Sequence, residues 1–153
     1  MSTTTAPRAA GVALGTARDL ALLVARIGLG VLMIGHAWLE FDFGGRSVVG
    51  VGQMFVQSGV PLGMVAGPAN LLLESVGGVM MILGLAVPVI GVLMAVNMVG
   101  AWVFVHTSPL YSMDHNGPET VIAIGLLSLT LAVTGSGRFG LDHLIRRRRT
   151  RVP

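Results

Sequence analysis

The stretch Leu71–Val87, LLLESVGGVMMILGLAV, is the most informative part of the sequence, because it is a run of apolar residues broken by a single carboxylate, Glu74. Extended back to Met64, the run is long enough to cross a lipid bilayer as a helix. A charged side chain costs roughly 2.5–3.5 kcal/mol at the centre of such a helix on insertion scales. We therefore expect Glu74 to face the protein interior, to find a polar partner or to be protonated.

Small side chains follow Glu74 on its own face of this helix. Gly77, Gly78 and Met81 lie three, four and seven residues after it, so this face carries little bulk. Small residues let two helices approach closely in lipid, where close packing drives association. The pattern predicts that Glu74 is the buried polar group of a small helical membrane bundle.

The composition of the whole chain supports the same class. Its 153 residues are 53% hydrophobic and 11% charged, with a mean hydropathy of +0.80. Soluble domains carry about 25% charged residues. We therefore expect one integral membrane domain. The chain has no cysteine, which excludes thiol catalysis, disulfide exchange and Cys-ligated metal centres for this chain acting alone.

Four apolar segments are candidates for membrane spans. They are Leu20–Leu39, Met64–Val87, Val89–His106 and the shorter Glu119–Thr134. Pro88 is expected to separate the second and third spans, which form an antiparallel hairpin. The predicted fold is all-α, a transmembrane four-helix bundle with a long outer loop, Glu40–Leu62, between helices 1 and 2. Part of that loop is expected to lie on the membrane surface or to fold back into it.

The ends of the chain differ in composition from its centre. We expect a mobile N-terminal tail (residues 1–18), a four-span membrane domain (19–142) and a basic cytoplasmic tail (143–153). Arginines flank the side that holds both termini, whereas the opposite loops offer only Arg46. The positive-inside rule therefore predicts a multi-pass protein of the cell membrane with both termini in the cytoplasm.

Two charges inside the spans are close in predicted depth. Arg26 lies about 10 Å into the first span and Glu74 about 15 Å into the second from the other side. A long arginine side chain could bridge the difference. We therefore expect Arg26 and Glu74 to form a buried ion pair.

A second polar group is predicted near the outer boundary. His36, His106 and Glu119 lie there, with Asp114 and His115 in the adjoining loop. Such groups can carry a proton or hydrogen-bond a quinone carbonyl. Two other interpretations stay open: interfacial anchoring by the histidines, and stabilisation of the positive N-terminal end of the fourth span by Glu119. The spacing contains no metal-binding motif.

Asn97 falls in the middle of the third span. An amide at this depth is typical of interhelical hydrogen bonding. On an ideal helix Asn97 points away from His106. The two are therefore not expected to face one pocket unless the helix bends. The candidate ligand-binding residues are Arg26, His36, Glu74, Asn97, His106 and Glu119; no catalytic residue is assigned.

Several different short motifs follow one another along the chain. They are Arg26-Ile27-Gly28-Leu29-Gly30, Gly35-His36, Gly59-Val60-Pro61, Glu74 with Gly77-Gly78, Leu83-Gly84-Leu85, Gly117 with Glu119, and Thr134 to Asp142. Their order and spacing resemble the DoxX family of small four-helix membrane proteins over roughly Leu20 to Asp142. The sequence departs from the family where a glycine and a lysine are usual, at Ala37 and Glu40. This departure reverses the charge near the outer face.

The resemblance implies a link to redox chemistry. Relatives are associated with thiosulfate:quinone oxidoreduction and with a membrane complex containing superoxide dismutase and a sulfurtransferase, and most members have no assigned reaction. We therefore expect a redox-associated membrane subunit, with quinone as the candidate cofactor. The alternatives are a non-catalytic scaffold that docks soluble partners on its tail and, less favoured, a small-solute transporter. Besides the bilayer, the candidate partners are soluble or membrane proteins and a second copy of the chain, with no role for nucleic acid.

Overall fold

The computed structural model of the chain describes residues 6–110 and 117–149. Within these ranges the chain forms six α-helices and no β-strand. The helices are α1 (Ala6–Phe43), α2 (Val48–Gln57), α3 (Gly63–Leu83), α4 (Val87–Phe104), α5 (Glu119–Thr134) and α6 (Leu141–Arg149). The predicted all-α class is confirmed.

Three helices are long and apolar enough to cross a membrane: α1 from Gly11 onward, α3 and α4. They correspond to the first three predicted spans. The helix predicted over Glu119–Thr134 is present as α5 with the predicted bounds. At 16 residues α5 is shorter than the other three.

The first helix is much longer than its predicted span. It begins at Ala6, so the described part of the predicted tail is helical, whereas its mobility stays a prediction. Pro7 lies in the first turn, where its missing N–H breaks no helical bond. The helix ends before Gly44 and Gly45, and Gly45 has a φ of 67°. Glu40 therefore lies in α1 and not in a loop.

The segment predicted as a long outer loop contains α2, which corrects that prediction. The side chain of Ser47 caps this helix by accepting a hydrogen bond from the backbone N–H of Gly50 at 3.4 Å. α2 packs against the first turns of α3. A Cβ atom on Gly67 would lie 2.9 Å from the carbonyl oxygen of Val51, so the two backbones touch. Glycine makes this close contact possible, and α2 is folded back on α3.

The turn between α3 and α4 begins earlier than predicted. Gly84 takes a left-handed conformation with φ 69°, and the next N–H, of Leu85, donates to the carbonyl of Met80 at 2.9 Å. A glycine in this left-handed conformation is a common way for a helix to end. Pro88, the predicted break, lies in the first turn of α4 instead. There its fixed φ suits the helix.

The hydrophobic core is shared by α1, α3, α4 and α5. Its buried members are Leu29, Met33, Met81, Val87, Ile90, Met94, Met98, Val121, Ile124 and Leu131. The face of α3 that carries Glu74, Gly77, Gly78 and Met81 is buried, as predicted. A Cβ on Gly78 would press on the carbonyl of Gly30 in α1, and one on Gly77 would contact Met94 in α4. The two glycines thus bring α3 against two different helices.

Candidate functional site

A cavity of about 410 Å³ lies between α1, α3 and α4, with α5 closing one side. Its walls are mainly apolar and include Met33, Leu73, Leu93, Met98 and Phe104. Six polar side chains line it as well: His36, Glu40, Asn70, Glu74, Asn97 and His106. A cavity of this size, apolar with a few polar groups, is typical of small-molecule sites.

Helical spacing explains why several of these polar groups meet. His36 and Glu40 are four residues apart in α1, and Asn70 and Glu74 are four residues apart in α3. Residues with this spacing lie on one face of a helix. Each helix therefore presents two polar side chains to the same space.

Glu74 is 3% exposed, and the Oε1 atom of its side chain accepts a hydrogen bond from Asn97 Nδ2 at 3.3 Å. This contact joins α3 to α4 and confirms the predicted interhelical hydrogen bond of Asn97. The second carboxyl oxygen, Oε2, is buried and has no hydrogen-bond partner among the described residues. A buried polar atom without a partner is costly in a membrane protein. A ligand in the cavity that forms a hydrogen bond with Glu74 Oε2 would remove this cost.

A second pair of the same kind joins α1 to α3. Asn70 is 7% exposed, and its Nδ2 donates a hydrogen bond of 2.7 Å to Glu40 Oε2. Neither residue was among the sequence candidates. The signal that could have found them is the four-residue spacing from His36 to Glu40 and from Asn70 to Glu74. The assignment of Glu40 to a loop concealed it.

Both histidines line the cavity, together with Asn97. The expectation that Asn97 and His106 face different directions is wrong. It assumed a helix through His106, but α4 ends at Phe104. The direction of His106 is therefore set by the chain beyond the helix and not by helical periodicity.

The predicted ion pair between Arg26 and Glu74 is wrong, because the two side chains are not paired in the described residues. Arg26 is 0% exposed, and its Nη1 donates to the carbonyl oxygens of Met81 and Ile82, each at 3.4 Å. These carbonyls lie about 10 Å further along α3 than Glu74. They belong to the last turn of α3, whose partial negative charge attracts a cation. Arg26 does not line the cavity.

Glu119 also lies outside the cavity lining. It is the first residue of α5, and its carboxylate folds back over Gly117. This position matches the alternative in which Glu119 stabilises the N-terminal end of the helix. Asp114 and His115, which were predicted to lie near it, fall outside the described residues. Four of the six sequence candidates thus share one cavity, and two do not.

The arrangement suits a flat apolar molecule that carries oxygen atoms. The apolar walls would enclose its ring. His36 and the free oxygen of Glu74 could exchange hydrogen bonds or a proton with a polar atom at its edge. Asn97 and Asn70 hold the two carboxyl groups in place. The chain offers no cysteine for redox chemistry, so electrons would have to come from a bound cofactor or a partner protein.

Comparison with known proteins places the chain in a family. It is 29% identical over 127 residues to a protein of Bacillus subtilis (strain 168) named "Putative oxidoreductase CatD", and the match covers 83% of this chain and 88% of that protein. No solved structure matches the chain. The DoxX family model matches residues 21–107, a range that contains α2, α3, α4 and most of α1. With more than half of its length matched, this multi-pass membrane protein belongs to the DoxX family.

Proposed function

We propose that this protein is a redox-associated membrane subunit that binds a quinone in the cavity between α1, α3 and α4. The observation that carries the proposal is Glu74 Oε2, which is buried in the cavity wall and has no partner among the described residues. A quinone carbonyl placed beside a protonated Glu74 would accept the missing hydrogen bond. The name of the Bacillus subtilis relative supports the redox class.

The size and polarity of the cavity support a quinone headgroup. Sites for small molecules typically measure about 300–1,000 Å³, and the volume of about 410 Å³ falls in that range. A neutral ring is compatible with a lining of methionine, leucine and phenylalanine. His36 offers a second hydrogen-bonding group for the same ligand.

The test is the lipid extract of the purified full-length chain. Quinones are extracted from the protein in mild detergent and quantified by liquid chromatography and mass spectrometry. We expect quinone to copurify with wild type and to fall about tenfold in Glu74→Leu, because leucine can neither donate a hydrogen bond to the quinone carbonyl nor accept the hydrogen bond from Asn97.

Glu119→Leu is the matched control. It makes the same chemical change at a carboxylate whose Oε2 is also buried without a partner among the described residues, but which lies outside the cavity. Its quinone content should equal that of wild type. Absence of quinone from the wild-type extract, together with no binding of added menadione, would contradict the proposal.

The membrane topology proposed with this function has four spans and cytoplasmic termini. α5 supports the fourth span because it packs on α4 and contributes Val121, Ile124 and Leu131 to the shared core. The arginines of α6 support the cytoplasmic placement. The domain boundaries at residues 18 and 142 belong to the same proposal.

A scaffold that docks soluble proteins is the second candidate. Arg146–Arg148 of α6 are exposed, which leaves a basic surface at the end of the chain. Truncation after Leu144 separates the two candidates. Loss of copurifying proteins from a truncated chain that is still folded, together with no quinone in the full-length extract, would favour the scaffold.

A further inference from the structure

A second cavity, of about 620 Å³, lies at the opposite end of α4 from the first. It is bounded by α1, by the start of α4, by the connection between α5 and α6, and by α6 itself. Its ionisable lining residues are Arg18, Asp19, Arg138, Asp142, His143 and Arg146. Neither the sequence candidates nor the proposed quinone site include any of them.

The first acid of this cavity is bound to the chain itself. Asp19 is 8% exposed, and its Oδ2 forms an ion pair of 3.3 Å with Arg138 Nε. Its Oδ1 also accepts a hydrogen bond from the backbone N–H of Arg138 at 3.2 Å. The charge of Asp19 is therefore offset by Arg138.

The second acid is bound to the end of a helix. Asp142 accepts hydrogen bonds from the backbone N–H groups of Ala86 at 2.7 Å and Val87 at 3.0 Å, at the start of α4. Arg26 is buried close enough to Asp142 for the two charges to attract. Asp142 thus already occupies the helix end, and its charge is offset as well.

The ionisable groups around the cavity include more arginines than acids. The lining contains three arginines and two aspartates, and Arg26 lies close to Asp142 as a fourth arginine. His143 adds a group that can be protonated. Arg18 and Arg146 are exposed and reach the cavity from different helices, α1 and α6. Two guanidinium groups held on separate helices suit a phosphate, which can accept hydrogen bonds from both.

An apolar surface adjoins these charges. Val89 and Val133 line the same cavity and are 61% and 82% exposed. They lie where α4 begins and α5 ends, which is the depth at which apolar helices leave the hydrocarbon of a bilayer. One end of a ligand in this cavity would contact the arginines, and its other end would extend into the hydrocarbon of the bilayer.

We propose that this cavity binds the phosphate headgroup of an anionic phospholipid, with its acyl chains lying along α4 and α5. Basic pockets between membrane helices are known to bind anionic headgroups. The site is local and built by four segments of the chain. It therefore differs from a general attraction of the arginine-rich end to a negative surface.

The test is native mass spectrometry of the full-length protein in detergent, titrated with phosphatidylglycerol and, separately, with phosphatidylcholine. We expect wild type to bind phosphatidylglycerol at least about tenfold more tightly than phosphatidylcholine. Arg18→Gln and Arg146→Gln should each weaken phosphatidylglycerol binding about tenfold, whereas Arg18→Lys should retain most of it. Circular dichroism checks that each variant is folded. If one of the two glutamine variants does not fold, the other is sufficient for the test.

The matched control is Arg148→Gln, which removes the same charge from the same helix at a position outside the cavity lining. It should bind phosphatidylglycerol as wild type does. An equal loss in Arg146→Gln and Arg148→Gln would overturn the proposal in favour of loose attraction by α6. Equal binding of the two lipids would overturn it too. So would complete displacement of phosphatidylglycerol by millimolar inorganic phosphate, which would make free phosphate the ligand.

Discussion

A Cβ atom on Gly30 would lie 2.5 Å from the carbonyl oxygen of Gly78, so the backbones of α1 and α3 touch at this point. The contact is reciprocal, because a Cβ on Gly78 would lie 2.9 Å from the carbonyl oxygen of Gly30. Close packing of this kind is a main source of helix association in lipid. It also fixes the register of the two helices. That register places Glu40 beside Asn70 and Arg26 beside the last turn of α3.

We predict that Gly30→Ala destabilises the protein. The added methyl group would force α1 and α3 apart, and overpacking of this kind costs about 1–3 kcal/mol. The measurement is the midpoint of thermal unfolding in detergent. Gly28→Ala and Gly35→Ala are matched controls on the same helix, since a Cβ there meets nothing within 4 Å. Both should leave the midpoint unchanged or raise it, because alanine favours helix over glycine. Equal effects at all three positions would contradict the contact.

We predict that Arg26 is energetically coupled to Asp142 and not to Glu74. Arg26 contacts the carbonyls at the end of α3, and Asp142 is the acid that attracts it. The measurement is a double-mutant cycle on the free energy of unfolding in mixed micelles, with Arg26→Gln, Asp142→Asn and Glu74→Gln. We expect the Arg26 and Glu74 effects to add within about 0.5 kcal/mol and the Arg26 and Asp142 effects to deviate by more.

Coupling of Arg26 to Glu74 and not to Asp142 would contradict this prediction and support the ion pair expected from the sequence. A coupling of several kcal/mol between Arg26 and Glu74 would mean that the arginine reaches up α3 and leaves the carbonyls of its last turn. The Asp142→Asn variant also tests the cap on α4, because its side chain can still accept from Ala86 or Val87.

We predict that Glu40 contributes to stability through its hydrogen bond and not through its charge. In Glu40→Gln an amide oxygen can still accept from Asn70, so the free energy of unfolding should change by less than about 0.5 kcal/mol. Glu40→Leu would leave Asn70 Nδ2 buried without an acceptor, which costs about 1–3 kcal/mol. Asp42→Leu is the control, since this exposed carboxylate bonds only at the surface, to Arg46. An equal loss in the glutamine and leucine variants of Glu40 would show that the charge matters.

We predict that the α2–α3 connection and α6 lie on opposite sides of the membrane. The chain contains no cysteine, so a single introduced cysteine reports its own position. Ser58→Cys should react with a membrane-impermeant maleimide in intact cells, because Ser58 is exposed beyond the end of α2. Arg148→Cys, exposed in α6, should react only after the cells are permeabilised. Labelling of both in intact cells would contradict the four-span topology. Labelling of Arg148→Cys alone would keep the four spans but contradict the cytoplasmic placement of the termini.

Apolar patterning was sufficient to predict the four apolar helices α1, α3, α4 and α5, but not all of their ends. The bounds of α5 were predicted correctly, because Gly117 and Pro118 mark its start and Gly135 its end. The end of α3 was placed at Val87 because Pro88 is the stronger local signal. Gly84 takes a left-handed conformation, and the helix ends at Leu83, four residues before Val87. Several glycines precede it, and only the fold selects the one that turns.

The depth argument for Arg26 and Glu74 failed for a related reason. Counting residues from the ends of two predicted spans gives each side chain a height, but it does not give the register between the spans. The contact of Gly30 with Gly78 sets that register, and it leaves Arg26 about 10 Å from the level of Glu74 along α3. The same register brings Glu40 into contact with Asn70, which its spacing from His36 alone does not predict.

Composition and apolar patterning are enough to predict that lipid surrounds the helices and that Glu74 faces inward. Low charge and long apolar runs require lipid, and a single acid followed by two glycines must turn toward a neighbouring helix, because acyl chains cannot hydrogen-bond it. Which polar side chains contact each other is visible only in the packed helices. Asn97 and not Arg26 bonds Glu74, and Asn70 bonds Glu40, because partner choice depends on the register and rotation of packed helices, which glycine contacts far along the chain impose.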